Sequence, residues 1–267
     1  MKKLLVLLAC TLPTFSWAQQ SHKVLVWADE FNYQGVPDAS KWTLVTGGHG
    51  WGNAEKQFYT QSEQNAFVSN GHLHLVAKNE KYQGSEFTSA RMVTKGKADF
   101  TYGRFEVKAK LPGGKGTWPA IWMLASQEGY GTQFWPDNGE IDIMEHVGFD
   151  PNVVHGNIHT KSFNHSIKTN LGNRVTVPNT QQEFHVYACE WTENKITVEV
   201  DGQVYFTFEK KPEYTWKEWP FDKPFHLILN IAVGGNWGGQ QGIDPSIFPQ
   251  EMIVDYVRVY RISADKH

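Results

Sequence analysis

The octet Gly139-Glu-Ile-Asp-Ile-Met-Glu-His146 reads as a β-strand carrying three acids on one side. Side chains of a strand alternate between two faces, so Glu140 and Asp142 share one face while Ile141 and Ile143 take the other. Glu145 has the wrong parity for that face. One extra residue, a β-bulge around Met144, restores it to the side of Glu140 and Asp142. Four effective strand steps span roughly 13 Å, and each Glu carboxyl leans about 4 Å toward the other, which leaves about 5 Å between them. Neighbouring charge then raises one carboxyl pKa so that this group stays protonated while another ionises. From the octet alone two further readings stay open: a solvated sheet face, or ligands for a hard cation.

Outward from this strand, runs of alternating or β-branched residues recur at short intervals, with Gly, Asn, Asp and Pro between them. Examples are 72–77, 103–110, 196–200, 204–208 and 252–260, and Asp201-Gly202 separates two of them as a hairpin turn. No stretch of a dozen residues keeps a helical period. Many short strands punctuated by turns predict a two-sheet sandwich in one domain, with the last strand pairing an early one.

The chain has 267 residues and a net charge of −3. Its opening, MKKLLVLLACTLPTFSWAQQ, has the basic start, apolar stretch and small-residue site of an export signal, which predicts cleavage after Ala18 and secretion or periplasmic export of residues 19–267. The segment Leu7-Leu-Ala-Cys10 also resembles a lipoprotein box, with Cys10 as a lipid anchor. The apolar run is too short for a membrane span. No basic stripe points to nucleic acid. With Cys10 removed, Cys189 is the only thiol, so no intramolecular disulfide forms and stability rests on the core. The 11 Trp, 10 Tyr and 16 Phe leave two readings open, simple core packing or flat aromatic faces that stack against sugar rings in an exported protein. A monomer is expected.

Together with Gly116-Thr-Trp-Pro-Ala-Ile-Trp-Met-Leu124, the acid octet resembles glycoside hydrolase family 16, and within it the bacterial laminarinase-like endo-β-1,3-glucanases. The ordered set Trp27–Phe31, Trp51–Thr60, Thr88–Lys95, Tyr102–Glu106, Asn230–Gly239 and Val254–Tyr260 carries the resemblance over nearly the whole expected mature chain. It implies a jelly-roll β-sandwich of two curved antiparallel sheets, with an open substrate cleft on the concave face. It also implies retaining, endo-acting hydrolysis of β-1,3-glucan. Glu140 would be the nucleophile, Glu145 the general acid/base, and Asp142 the group that tunes Glu140. Trp118 and Trp122 would be stacking platforms, with Asn53 and Arg91 on the donor-side hydroxyls and His159 beside Glu145. Asn230, Trp237 and Gln241 would be further cleft residues. No catalytic cofactor is implied. A structural calcium would sit on the convex side, on Glu30, the carbonyl of Gly71 and Asp255. Mixed-linkage glucan or galactan hydrolysis on the same scaffold, and non-catalytic glucan binding, are the alternatives. The intact acids speak against the last of these, and the lack of an Arg/Lys cluster beside the cleft speaks against sulfated galactans.

Overall fold

The computed structural model describes residues 22–263, so the expected leader and Cys10 lie outside the described residues. The strand-like runs become β1 (His22–Asp29), β2 (Thr43–Leu44), β3 (Gln57–Tyr59), β4 (Ala66–Ser69), β5 (His72–Tyr82), β6 (Ser85–Ser89), β7 (Arg91–Val93), β8 (Gly103–Lys110) and β9 (Thr117–Ala125). They continue as β10 (Glu140–Glu145), β11 (Val153–His159), β12 (Leu171–Thr176), β13 (His185–Trp191), β14 (Lys195–Val200), β15 (Gln203–Glu209), β16 (Phe225–Val233) and β17 (Gln250–Ser263). Among the described residues, helix is confined to single turns at Phe134–Asp137, His165–Ile167 and Pro245–Ile247.

Two sheets form. The larger runs β15-β14-β13-β8-β17-β5-β6-β3, with β1 also on β17 and β4 on β5. The smaller runs β12-β11-β10-β9-β16-β7-β2. Pairing is antiparallel except between β3 and β6, which run parallel. That pair departs from the all-antiparallel expectation because β4 and β5 lie between its members in sequence and supply the long connection a parallel pair requires. β17 pairs with β1 from His22↔Ser263 to Asp29↔Val257, which ties the final strand to an early one. Asp201 and Gly202, at φ 49° and 79°, make the tight turn between β14 and β15.

Period-2 alternation sorts the two faces. Phe105, Val107 and Ala109 of β8 and Leu73, Leu75 and Ala77 of β5 point inward from one sheet. They meet Ile121, Met123 and Ala125 of β9 and Leu227, Leu229, Ile231 and Val233 of β16 from the other, all buried in one cluster. Each fully buried aliphatic side chain contributes roughly 1.5–3 kcal/mol. Trp191 is fully buried, and its indole N–H is satisfied by the Phe221 carbonyl at 3.2 Å. The opposite face of the smaller sheet, from β7 to β11, is the concave face that holds the acids.

Candidate active site

β10 carries the expected bulge. Against β9, Glu140 pairs with Leu124 and Glu145 with Ala120; against β11 they pair with His159 and His155. Five steps along β10 therefore cover four along each neighbour, and the β9 register shifts between Asp142 and Met144. Four is an even step, so Glu140, Asp142 and Glu145 emerge on one face while Ile141, Ile143 and Met144 are fully buried on the other. The bulge is pinned from the far sheet: the Tyr205 hydroxyl of β15 donates to the Ile143 carbonyl at 2.9 Å. Gly156 of β11 makes room for that ring, since a Cβ there would sit 3.0 Å from a Tyr205 ring carbon.

The acids open into a cleft of about 640 Å³. Asn53, Arg91, Trp118, Trp122, His159, Asn230 and Trp237 all line it, as expected from the sequence. Gln241 does not. It is exposed, because turns closed by Gln240 N–H on the Trp237 carbonyl (3.0 Å) and Gly242 N–H on the Gly239 carbonyl (2.9 Å) carry it past the cleft edge. His159 also departs from its expected place. It sits beside Glu140 and Asp142, with Nε2 3.8 Å and 3.5 Å from their carboxylates, because antiparallel pairing sets it opposite Glu140. The residue opposite Glu145 is His155.

The three acids differ in their partners. Glu145 accepts from the Trp118 indole N–H at 3.1 Å and the Asn157 amide at 2.9 Å. Asn157 fits because its β12 neighbour is Gly172, where a Cβ would lie 2.0 Å from the Asn157 amide oxygen. Burial pushes Glu145 up to about 7, and those two hydrogen bonds oppose the rise. Glu140 is raised by burial and then by the charge of Glu145, while Trp135, Asp142 and Arg91 stabilise its anion. Asp142 is 1% exposed, and one of its oxygens has no hydrogen-bond partner. Burial and then the charges of Glu140 and Glu145 hold its pKa well above the usual carboxylate range. The cluster therefore holds protons near neutrality as one coupled unit. His159 and His155 are pulled down to about 3 and about 4, mainly by burial, so both are neutral there.

Around the acids the walls are aromatic. The Arg91 guanidinium lies between the Trp51 and Trp122 rings, 4.7 and 4.8 Å from their centroids. Trp122 is tethered in turn: its N–H donates to Asn230 at 2.7 Å, Asn230 donates to the Tyr59 hydroxyl at 3.0 Å, and that hydroxyl donates to Glu55 at 3.2 Å. On the Glu145 side, Trp237 stands edge-on to both Trp118 and His155. Sequence reading placed the Trp51–Thr60 segment along the cleft, which brings in Trp51 and Glu55, but did not single out Trp135, His155, Asn157, His165, Ser166, Asn170 or Asn236. Parity on β11 carries the signal for two of them, since His155 and Asn157 alternate with His159. The short 165–170 segment has no such signal.

On the convex side, Glu30 and Asp255 are near enough for Asp255 to raise the Glu30 pKa, but each acid is held by a cation. Arg258 makes two bonds of 2.8 Å to Glu30, and Lys108 lies 2.8 Å from Asp255. Gly71 occupies the turn between β4 and β5 at φ 77°. Among the described residues no helix is long and apolar enough to cross a membrane.

Comparison with known proteins agrees with this geometry. Residues 53–258 match the family described as "Glycosyl hydrolases family 16". A β-glucanase of Rhodothermus marinus is 55% identical over 262 residues, covering 96% of this chain and 92% of its own. The crystal structure of the Rhodothermus marinus laminarinase superposes with a TM-score of 0.90 at 57% identity, covering 91% of this chain and 99% of that one. SCLam, a non-specific endo-β-1,3(4)-glucanase, superposes with a TM-score of 0.86 at 47% identity over 92% of this chain and 93% of its own. With its jelly-roll sandwich and acid-floored cleft, this chain belongs to glycosyl hydrolase family 16, whose members need no catalytic cofactor.

Proposed function

We propose that this chain is a retaining, endo-acting hydrolase of internal β-1,3-glucosidic bonds in laminarin-like glucans. The observation that carries the reading is the bulged strand β10, on which Glu140 and Glu145 stand four steps apart with Asp142 between them. Four strand steps less the reach of the two side chains give roughly 5 Å between the carboxyl groups, the separation of a retaining pair, with no room for a water between nucleophile and sugar. Ionised Glu140 attacks the anomeric carbon while the Glu145 O–H protonates the departing glycosidic oxygen. The glycosyl-enzyme is then released by a water whose proton Glu145 takes back. Asp142 keeps its proton and donates it as a hydrogen bond to Glu140, which holds the nucleophile in place without adding a second negative charge. The negative charge of Glu140 also stabilises the positive charge that develops on the sugar. Trp118 and Trp122 stack on the sugar rings, and Asn53 and Arg91 hold donor-side hydroxyls.

The names of the relatives support the substrate: laminarinase and β-glucanase at 55–57% identity. Mixed-linkage β-1,3-1,4-glucan is the second reading, favoured by the non-specific activity of SCLam. A reducing-sugar assay on laminarin, mixed-linkage glucan and cellulose, with sizing of the early products, tests both. Laminarin cut to oligosaccharides and cellulose left intact is the expected result. Glucose as the only early product would refute the endo mode, and faster attack on cellulose the linkage.

Two further features belong to this reading. The basic and apolar opening of the chain supports export with cleavage near Ala18. Glu30, the Gly71 carbonyl and Asp255 would supply oxygen donors to a structural calcium only after Arg258 and Lys108 release the two acids they hold in this structure. Calcium bound only by the folded state raises the melting temperature. An unchanged melting temperature in excess chelator and again in excess calcium would remove it.

A further inference from the structure

The Glu140, Asp142 and His159 side chains converge at one point of the cleft floor. One ligand atom from each lies within 4.8 Å of the other two. Nε2 of His159 is 3.5 Å from Asp142 Oδ2 and 3.8 Å from the Glu140 carboxylate. An ion with bonds of roughly 2.0–2.1 Å in tetrahedral geometry spreads its donors about 3.3 Å apart, so small side-chain shifts would close these three around one cation. Two further observations point to a ligand. Asp142 Oδ2 is buried and makes no hydrogen bond, on a residue 1% exposed, and it faces the His159 ring. Nδ1 of His159 has no partner either, so the ring is free to carry its proton there and turn the Nε2 lone pair inward.

We infer that the cleft contains an inhibitory site for a divalent transition-metal cation of the zinc type, bound by His159 Nε2 and one oxygen each of Asp142 and Glu140. The inference rests on the reading of Glu140 as nucleophile and adds a means of regulating that same site. One imidazole and two carboxylates leave a fourth position for water and form a donor set that zinc accepts. Calcium and magnesium take oxygen ligands and gain nothing from the imidazole. The Glu140 oxygen that holds the metal cannot attack a sugar, so metal and glucan compete. The nearby positive charge of Arg91 weakens the site, which favours reversible over permanent occupancy.

Calorimetric titration of zinc chloride into the chelator-stripped protein reads binding independently of turnover. The expected result is one saturable, reversible site, weakened at least about tenfold in His159→Gln and unaffected by equal magnesium. Asp142→Asn should show the same weakening and serves if His159→Gln fails to fold. In parallel, laminarin hydrolysis in chelator should be lost on adding zinc and recovered with more laminarin or more chelator. No hydrolysis even in chelator would refute the proposed function and leave the binding result standing. Equal zinc affinity in wild type and both variants, or inhibition that laminarin does not relieve, would overturn the metal site.

Discussion

The protein carries acids on both faces of its sandwich, and the two sets behave in opposite ways. On the convex side, Arg258 grips Glu30 and holds its pKa below the usual carboxylate range. Arg104 likewise sits between Glu106 and Glu199, and Lys108 lies against Asp255. On the concave side, Glu140, Asp142 and Glu145 are raised, first of all by burial, and the nearest guanidinium is stacked between Trp51 and Trp122. The residue types and the strand geometry are alike; the partners differ. Acids paired with cations hold a fold together, whereas acids crowded together in a cleft keep protons available for chemistry at a cost in stability.

The largest break in that comparison comes from removing the proposed nucleophile. Glu140→Ser should lower laminarin turnover by at least about 10³-fold with the fold retained, because nothing else in the cleft can form the covalent intermediate. Azide or formate should restore part of the activity in Glu140→Ala. Restoration only in Glu145→Ala would reverse the two roles.

Next in size is Glu145→Gln. Loss of the acid should cost about 10²–10⁴-fold on laminarin and far less on a glucoside with a good leaving group, which needs little protonation. The wild-type pH profile should be bell-shaped, because turnover needs one ionised and one protonated carboxyl in the coupled pair, and burial should place its limbs above the usual carboxylate range. The same substitution should stabilise the protein. The folded pKa of Glu145 lies above its ordinary value of 4.5, so the folded state binds more protons than the unfolded one between pH 4.5 and about 7, and stability falls as pH rises through that window. Glu145→Gln should therefore gain of order 1–3 kcal/mol over wild type at pH 8, and the gain should vanish near pH 4. Chemical denaturation at both pH values reads it. A variant less stable than wild type at pH 8 would contradict the picture of strained, crowded acids.

Smaller still is Tyr205→Phe, which unpins the bulge at the Ile143 carbonyl. It should cost about 1–2 kcal/mol and lower kcat more than it raises KM, since it misplaces Glu145 relative to Glu140. On the convex side, Arg258→Met should cost no more than about 1 kcal/mol, because the pair with Glu30 is a third or more exposed, and it should leave kcat unchanged. A marked loss of kcat there would erase the distinction between the two faces.

Much of this was legible in the sequence for specific reasons. The β10 bulge follows from the parity of three acids and three apolar residues, and the sandwich follows from short alternating runs such as 103–110 and 252–260. Register was not legible. His159 was expected beside Glu145, but its place opposite Glu140 depends on how the 146–152 turn offsets β11 against β10, and no side-chain pattern encodes that offset. Trp135 precedes the acid octet by only a few residues, yet its approach to Glu140 depends on a turn closed by Asp137 and Asn138, with Asn138 accepting from Gly129 N–H at 2.7 Å and Tyr130 N–H at 2.8 Å. Likewise, Glu30 and Asp255 are visible as acids, but Arg258 and Lys108 become their partners only once β1, β8 and β17 lie side by side.

The central claim is that the bulge brings Glu140 and Glu145 close enough for direct attack on the sugar. An NMR time course of laminarin hydrolysis, following the anomeric protons of the newly formed reducing ends, tests it most directly. Initial accumulation of the β-anomer, followed by slow mutarotation to the equilibrium mixture, is the predicted result. Initial appearance of the α-anomer would contradict it, because inversion requires an attacking water between a general-base carboxylate and the sugar and thus a wider separation of the two acids.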